Sequence, residues 1–307
     1  MASVRSLAEA MREGLRSGAV GRMSVPPRET VEDAAGAKFI SMPAVSPDHD
    51  LYVNKVAAIV ASPARGRGAT VTSVVPMFSV STGRYLGALD GAAVTNLKCA
   101  AVTALVTDRC AAPDSRVLGI IGAGVQARQQ FLGVSAVRDL TEVRVWSRTA
   151  SRTAAFARDI AAQAGAEGRP VNVVVCDSAE HASRDVDILS TATTSPDPLP
   201  ISAQLPAHAH VNCMGAHTTR SRELAADLLR GSVVIVEELG TAVAEAGESH
   251  AQALELGALL GPEAAEFARR RTVFASTGCA YLDLITCAHL ISHGEGAGIR
   301  TAAALAS

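Results

Sequence analysis

The segment whose composition most directly implies chemistry is Gly122-Ala123-Gly124-Val125-Gln126-Ala127. It follows the apolar run Val117 to Ile121, which reads as a buried strand, and it opens onto a helical stretch, Val125 to Val137. Strand, tight glycine turn and helix is the context that a dinucleotide pyrophosphate requires. Gly122 makes the turn, Gly124 removes the side chain that would keep the backbone from the phosphates, and the small Ala127 lets helix and strand pack closely. The helix start at Val125 and Gln126 offers unpaired N–H groups and a partial positive charge to an anion.

The second strand of such a unit, Glu142 to Trp146, decides between nucleotides. NAD-binding units place a carboxylate at its end to take the ribose hydroxyls. Here Ser147-Arg148-Thr149 follows, then Ser151-Arg152, with no carboxylate at that point. A hydroxyl and a guanidinium suit a 2′-phosphate, because arginine forks onto phosphate oxygens or stacks on adenine. The sequence therefore predicts NADP(H), with NAD(H) as the weaker alternative, and Ser147, Arg148, Thr149 and Arg152 as contacts.

Other reactive side chains carry less. His289 and His293 stand four apart on a helical stretch, but no third ligand is near in sequence, so no metal is expected. His208 and His210 read as solvated or capping residues at a strand entry. No Ser–His–Asp arrangement is visible, and Ser195-Pro196 reads as a turn.

Two kinds of scaffold surround these residues. Ser3 to Ser17 has the apolar spacing of a helix. Between Lys38 and Asp90, short Val-, Ile- and Thr-rich stretches (Tyr52 to Ala61, Thr70 to Val80, Tyr85 to Leu89) are broken by Pro and Gly and read as antiparallel strands, with a hairpin turn at 81–84. Ala92 to Cys110 is an Ala-rich helix leading to a joint at Pro113-Asp114. From Arg116 onward strand and helix alternate. Strands are expected at Val117 to Ile121, Glu142 to Trp146, Val171 to Cys176, Ile188 to Ala192, His210 to Met214, Val233 to Val236 and Thr272 to Ala275. Such alternation means a parallel sheet covered on both faces and doubly wound. The fold class is thus α/β: a Rossmann doubly wound parallel sheet over 115–284. It is joined to an α+β domain with a mainly antiparallel sheet, formed by 1–114 and by 285–307 through the final helix, Tyr281 to Ser292.

The chain has 307 residues, 48% of them hydrophobic and only 3% aromatic, which suits Ala-rich helices on a Val-rich sheet. A net charge of −2 offers no basic face for nucleic acid. No apolar run approaches the roughly 20 residues that span a bilayer, and the N-terminal stretch lacks a leader's apolar segment. Six cysteines without a C-x-x-C pair read as buried thiols of a reducing compartment, which points to the cytoplasm.

In order and spacing, Pro26-Pro27-Arg28, Met42-Pro43-Ala44, Asn54-Lys55, Thr82-Gly83, Asp90-Gly91, the glycine turn, Val211-Asn212-Cys213-Met214-Gly215-Ala216, Arg222-Glu223-Leu224, Glu245-Ala246-Gly247-Glu248 and Ser276-Thr277-Gly278 together resemble the ornithine cyclodeaminase/mu-crystallin family. The resemblance runs from about Pro26 to Asp283. It implies a homodimer in which the N-terminal domain serves dimerisation and substrate binding, with an amino or imino acid as substrate. The late start of the chain relative to that pattern leaves the first strand of the dimer sheet in question.

The resemblance also assigns residues. Arg28 and Met42 bind substrate, and Lys55 joins Arg28 in a cluster of cations facing the nicotinamide, where an α-carboxylate is held and the reacting carbon oriented. Thr193, Met214 and Gly278 complete the cofactor contacts. Without the family, Arg28 would read as a surface residue and Lys55 as a strand-edge charge. Two departures stand out. Many relatives carry arginine where Lys98 stands, so the charge is kept and the fork is lost. Cyclodeaminases carry aspartate where His217 stands. Histidine can exchange a proton during imine chemistry but cannot supply the fixed negative charge that holds a diamino acid's distal ammonium.

The resulting expectation is an NADP(H)-dependent reductase of a C=N bond beside a carboxylate, or an amino-acid dehydrogenase, with Lys55, Lys98 and His217 at the chemistry. The alternatives are a cyclodeaminase that recycles bound NAD and releases ammonia, and a ligand-binding protein of the crystallin type without turnover. The loop 62–68, with Arg65 and Arg67, adds a further cation or is solvated.

Overall fold

A computed structural model describes residues 3–34, 36–60, 71–201, 205–215, 218–219 and 222–294. The chain forms two compact units, Met1–Lys98 with Cys279–Ser307, and Cys99–Gly278. In this division the joint expected at Pro113-Asp114 falls inside the second unit.

The first unit holds a five-stranded antiparallel sheet in chain order: β1 (Glu29–Glu32), β2 (Lys38–Ser46), β3 (Leu51–Ile59), β4 (Val71–Phe78) and β5 (Tyr85–Asp90). Alternation sorts its faces. Leu51, Val53, Lys55 and Ala57 of β3 are buried, with Met42 and Ala44 of β2 beside them. The intervening residues face outward. The inner face is covered by a helix from the far end of the chain, Ala280–Ser292, which packs on β2 and β3 and contributes Ala280, Leu284 and Cys287 to the core. A helix at Val4–Arg16 (α1) packs on that terminal helix in turn. Its apolar residues Leu7, Ala8 and Met11 are buried, and Ser3 and Ser6 form a reciprocal cap at its start.

A long helix, α2 (Gly91–Cys110), follows β5 and runs through the division between units. Asp90 starts it by accepting the Ala93 N–H at 2.7 Å. The second unit then continues with β6 (Val117–Ile121), α3 (Val125–Ser135), β7 (Glu142–Trp146), α4 (Ala150–Ala166), β8 (Asn172–Val175), α5 (Ala179–Ser183), β9 (Ile188–Thr191), β10 (His210–Cys213), α6 (Ala226–Arg230), β11 (Val233–Val236), α7 (Leu239–Ala246), β12 (Leu254–Glu255) and β13 (Thr272–Ala275). The terminal helix, Ala280–Ser292, is α8.

The eight strands of this unit are all parallel, in the order β12-β11-β13-β10-β9-β6-β7-β8. Strand order reverses between β6 and β9. In open parallel sheets, ligands bind beyond the carboxyl ends of the strands at such a reversal. The glycine turn leaves β6 there.

His210 departs from its sequence reading. It is fully buried on β10 rather than solvated, with Nδ1 2.8 Å from Thr272 Oγ1 and Nε2 3.1 Å from Asn212 Oδ1. Asn212 in turn donates to Thr107 Oγ1 at 3.1 Å. A neutral ring donating from Nε2 and accepting at Nδ1 satisfies both partners. Burial, the dominant cause, pushes its pKa down to about 3. This histidine ties adjacent strands together and is not available for proton transfer near neutrality.

Candidate active site

In the second unit the turn after β6 has two glycines with different reasons. Gly122 has φ +122°, and a Cβ there would lie 2.4 Å from the Ala192 carbonyl oxygen, so both backbone strain and packing demand glycine. Its N–H donates to Trp146 O at 2.8 Å, fastening the turn to the end of β7. Gly124 is the N-cap of α3, with extended φ of −103°, and a Cβ there would meet nothing within 4 Å. Neither conformation nor internal packing requires glycine at 124. The absent side chain leaves the backbone open to an outside group. The next side chain, Val125, is 62% exposed, whereas Ala127, Phe131 and Val134 of the same helix are buried. These features fit a bound pyrophosphate at the N-terminus of α3.

At the end of β7, Ser147 Oγ lies 2.7 Å from Thr153 Oγ1, closing the loop onto α4. Arg148, Thr149 and Arg152 are exposed, and neither arginine has an ion-pair partner among the described residues. This side of the turn offers cations and no carboxylate.

Two buried glutamates shape the loops beyond β9, β10 and β13. Glu223, fully buried, accepts from Thr191 Oγ1 at 2.7 Å, Thr193 N at 2.6 Å and Gly215 N at 2.9 Å. Met214 is set by its N–H to Thr191 O at 2.9 Å. Glu237 accepts from Thr277 N at 3.0 Å and Gly278 N at 3.2 Å, with Ser276 Oγ also donating. Thr193 and Gly278 are therefore held at the carboxyl edge of the sheet by side chains that sequence reasoning left without a role, and Met214 by the backbone of β9. Glu223 stood within a recognised segment, and only its burial reveals the function.

In the first unit the structure assembles a charged cluster inside the core. Lys55 Nζ lies 2.8 Å from Asp283 Oδ2, and Lys98 Nζ lies 2.9 Å from Asp283 Oδ1. Side-chain exposures are 9% for Lys55, 5% for Lys98 and 0% for Asp283. Lys55 comes from the inner face of the central strand β3, Lys98 from α2 and Asp283 from α8. Burial alone would raise the Asp283 carboxyl. The ammonium charges of Lys98 and then Lys55 outweigh burial and hold it below the usual carboxylate range. Two lysine side chains thus meet on one buried carboxyl group.

Met42 pairs directly with Lys55 across β2 and β3. Arg28 immediately precedes β1, whose first residue, Glu29, pairs with Ser41. Lys55 is not a strand-edge charge.

Asp283 was missed from sequence. Its signal is a lone carboxylate in the apolar run Ala280 to Ile285, which a buried helix tolerates only beside a cation. His217 and the loop 62–68 lie outside the described residues. All six cysteines are buried free thiols. Among the described residues no group of His, Cys, Asp or Glu is arranged for a metal, and no helix is long and apolar enough to cross a membrane.

A doubly wound parallel sheet with a glycine turn at its strand-order reversal, together with a unit built on an antiparallel sheet, is the architecture of a Rossmann-type α/β protein. The chain belongs to the ornithine cyclodeaminase/mu-crystallin family, whose model matches residues 1–293. A ketimine reductase mu-crystallin of Rattus norvegicus is 30% identical over 282 residues, covering 90% of this chain and 87% of the relative. An L-lysine cyclodeaminase of Streptomyces rapamycinicus is 31% identical over 239 residues, covering 75% and 68% respectively. Among solved structures, Thermococcus litoralis Delta(1)-pyrroline-2-carboxylate reductase in complex with NADH and L-proline superposes with a TM-score of 0.84 at 25% identity, covering 95% of each chain.

Proposed function

We propose that this protein is a nicotinamide-dependent oxidoreductase that reduces a C=N bond adjacent to a carboxylate, with NADPH as the preferred donor. The observation that carries the reading is the Lys55–Asp283–Lys98 cluster. Two ammonium groups gathered on one buried carboxylate present hydrogen-bond donors and positive charge in one place to an anionic substrate. An ammonium can donate three hydrogen bonds, so engagement with Asp283 is compatible with a second acceptor. Names of relatives agree: a ketimine reductase and a pyrroline-2-carboxylate reductase both act on imines.

Gly122, Gly124, Val125 and Gln126 would hold the cofactor's pyrophosphate, and Ser147, Arg148, Thr149 and Arg152 its adenosine end. Thr193, Met214 and Gly278 border the rest. When bound, the reduced nicotinamide supplies hydride to the imine carbon. Lys55 and Lys98, with Arg28, hold the substrate carboxylate and fix the orientation of the neighbouring C=N bond. His217 keeps the imine nitrogen protonated, which makes the carbon more electrophilic. The test is purified protein with NADPH and a cyclic imino acid such as pyrroline-2-carboxylate, followed at 340 nm. Oxidation of NADPH dependent on the imino acid is the expected result. NADPH oxidised without any imino acid, or no turnover across cyclic imines and mixtures of amines with 2-oxo acids, overturns it.

The cofactor preference has its own test. Arg148→Asp supplies the carboxylate that takes ribose hydroxyls and repels a 2′-phosphate. The ratio of NADPH to NADH affinity should fall by about 100-fold, roughly 3 kcal/mol, in a fluorescence titration. An unchanged ratio would remove the basis for preferring NADPH.

The lysine cyclodeaminase relative supports a second reading, cyclisation of a diamino acid with internal recycling of the nucleotide. His217, where cyclodeaminases carry aspartate, weighs against it. Ammonia release from ornithine or lysine without net change in cofactor absorbance would favour it over the first reading. A crystallin-type binding role would show as NADPH affinity with no turnover in either assay.

We also infer a homodimer through the outer face of the antiparallel sheet. Val31, Phe39, Val56, Val74 and Tyr85 are each at least 40% exposed there. Tyr52, Phe78 and Tyr85 form an aromatic row, with centroids 6.1 Å and 5.3 Å apart. A second copy presents the same apolar surface to this one. Sedimentation equilibrium should give twice the chain mass, and a monomer at micromolar concentration excludes the arrangement.

A further inference from the structure

We propose that Asp283 is a positioning residue of the carboxylate site. It gathers Lys55 and Lys98 onto one carboxyl group, sets the spacing of their ammonium groups, and keeps both protonated in a site nearly closed to water. The proposal rests on the reading above that these lysines hold a substrate carboxylate.

The geometry is specific. One carboxyl group uses one oxygen for each lysine, at 2.8 and 2.9 Å. Asp283 has no exposed surface, and the two lysines have almost none. Two like charges brought from different elements into such a place repel each other and lose hydration. The ordinary result is that one of them gives up its proton. A neutral lysine would be a poor clamp for a carboxylate. An anion between the two removes that penalty, and a rigid helix supplies it with a fixed position.

From β3 the facing charged group is Lys55, and from α2 it is Lys98. On α8 itself Cys287 is one turn away, its thiol pushed up by burial and then by the charge of Asp283. From β2 the neighbours are Met42 and Ala44, which share the core with α8. From α1 the contacts with α8 are at Gly14 beside Ile285 and at Ser6, whose Oγ is 3.1 Å from His289 Nε2. Among these described residues, Asp283 is the anion that both lysines share, one oxygen for each.

The test compares wild type with Asp283→Asn, an isosteric neutral side chain, by two independent readouts. In the first, protein labelled with 13C at lysine Cε is titrated by NMR without substrate, with Lys55→Met and Lys98→Met used to assign the signals. Wild type should show both lysines protonated at neutral pH, and Asp283→Asn should release a proton at lower pH than wild type does. In the second, turnover is measured against pH. KM for the imino acid should rise by about tenfold or more, kcat should change by less than about threefold, and the alkaline limb of kcat/KM should move to lower pH. Asp283→Glu should restore much of the alkaline limb.

A purely structural role predicts a lower melting temperature with no displacement of that limb, which overturns the proposal. So does a wild-type spectrum in which either lysine is neutral at neutral pH, a result that stands even if Asp283→Asn does not fold. If the NMR result holds while no imine is reduced, the charge-holding role of Asp283 survives and the imine-reductase reading fails.

Discussion

Gly124→Asp should lower affinity for NADPH by about 100-fold or more while leaving the melting temperature within about 2 °C of wild type. The two halves of this result have one source. Position 124 is a helix N-cap with extended backbone and open space beyond its Cα. Aspartate is among the best residues at an N-cap, accepting one of the otherwise unpaired N–H groups, so α3 loses nothing by the exchange. The same carboxylate occupies the approach of a pyrophosphate and repels it. Isothermal titration with NADPH and a thermal melt without cofactor check both halves. Unchanged affinity would mean that the cofactor binds elsewhere. A collapse in stability would mean that Gly124 serves the fold and not a ligand. Gly122 would not separate these outcomes, because a side chain there strikes the Ala192 carbonyl and fails for internal reasons alone.

Lys55→Met should reduce kcat/KM for the imino acid by about 1000-fold, roughly 4 kcal/mol, with NADPH affinity kept within about twofold. Methionine retains an unbranched apolar stem in the buried row of β3, so packing beside Leu51, Val53 and Ala57 is largely preserved. What disappears is charge. One of the ammonium groups that hold the substrate carboxylate is gone, and Lys98 is left paired with Asp283. Lys98→Met should behave alike by the same reasoning. Steady-state kinetics and a cofactor titration on each variant decide the matter. Loss of less than about tenfold in kcat/KM would place the substrate carboxylate elsewhere.

Most of the fold was legible because its signals are local. Val117 to Ile121 and Glu142 to Trp146 were bounded residue for residue, since buried strands between glycine and polar turns leave a sharp pattern. Glu29–Glu32 was not legible. All four of its residues are exposed, so it has no buried side to mark it as a strand. The helices at Ala226–Arg230 and Leu239–Ala246 were also missed, being too short to establish a period. At the site, the glycine turn was readable because backbone demands fall on adjacent residues. Lys55 and Lys98 emerged through the family pattern, while Asp283 did not. Its meaning depends on two cations far away in the chain, and only folding brings them together. The His210 reading failed for the same reason. Its partners Thr272 and Asn212 make burial of an imidazole acceptable, and a strand entry read alone cannot show that.

The closure of the antiparallel sheet by α8 has a consequence for how the protein is made. During synthesis β1 to β5 leave the ribosome long before the helix that will cover them, while all strands of the parallel sheet come between. Lys55 is therefore translated well before Asp283, its partner on α8, with the whole parallel-sheet unit between them in the chain. Domains usually mature in the order they emerge. Here the earliest strands reach their final state last, when the acidic residue of α8 arrives.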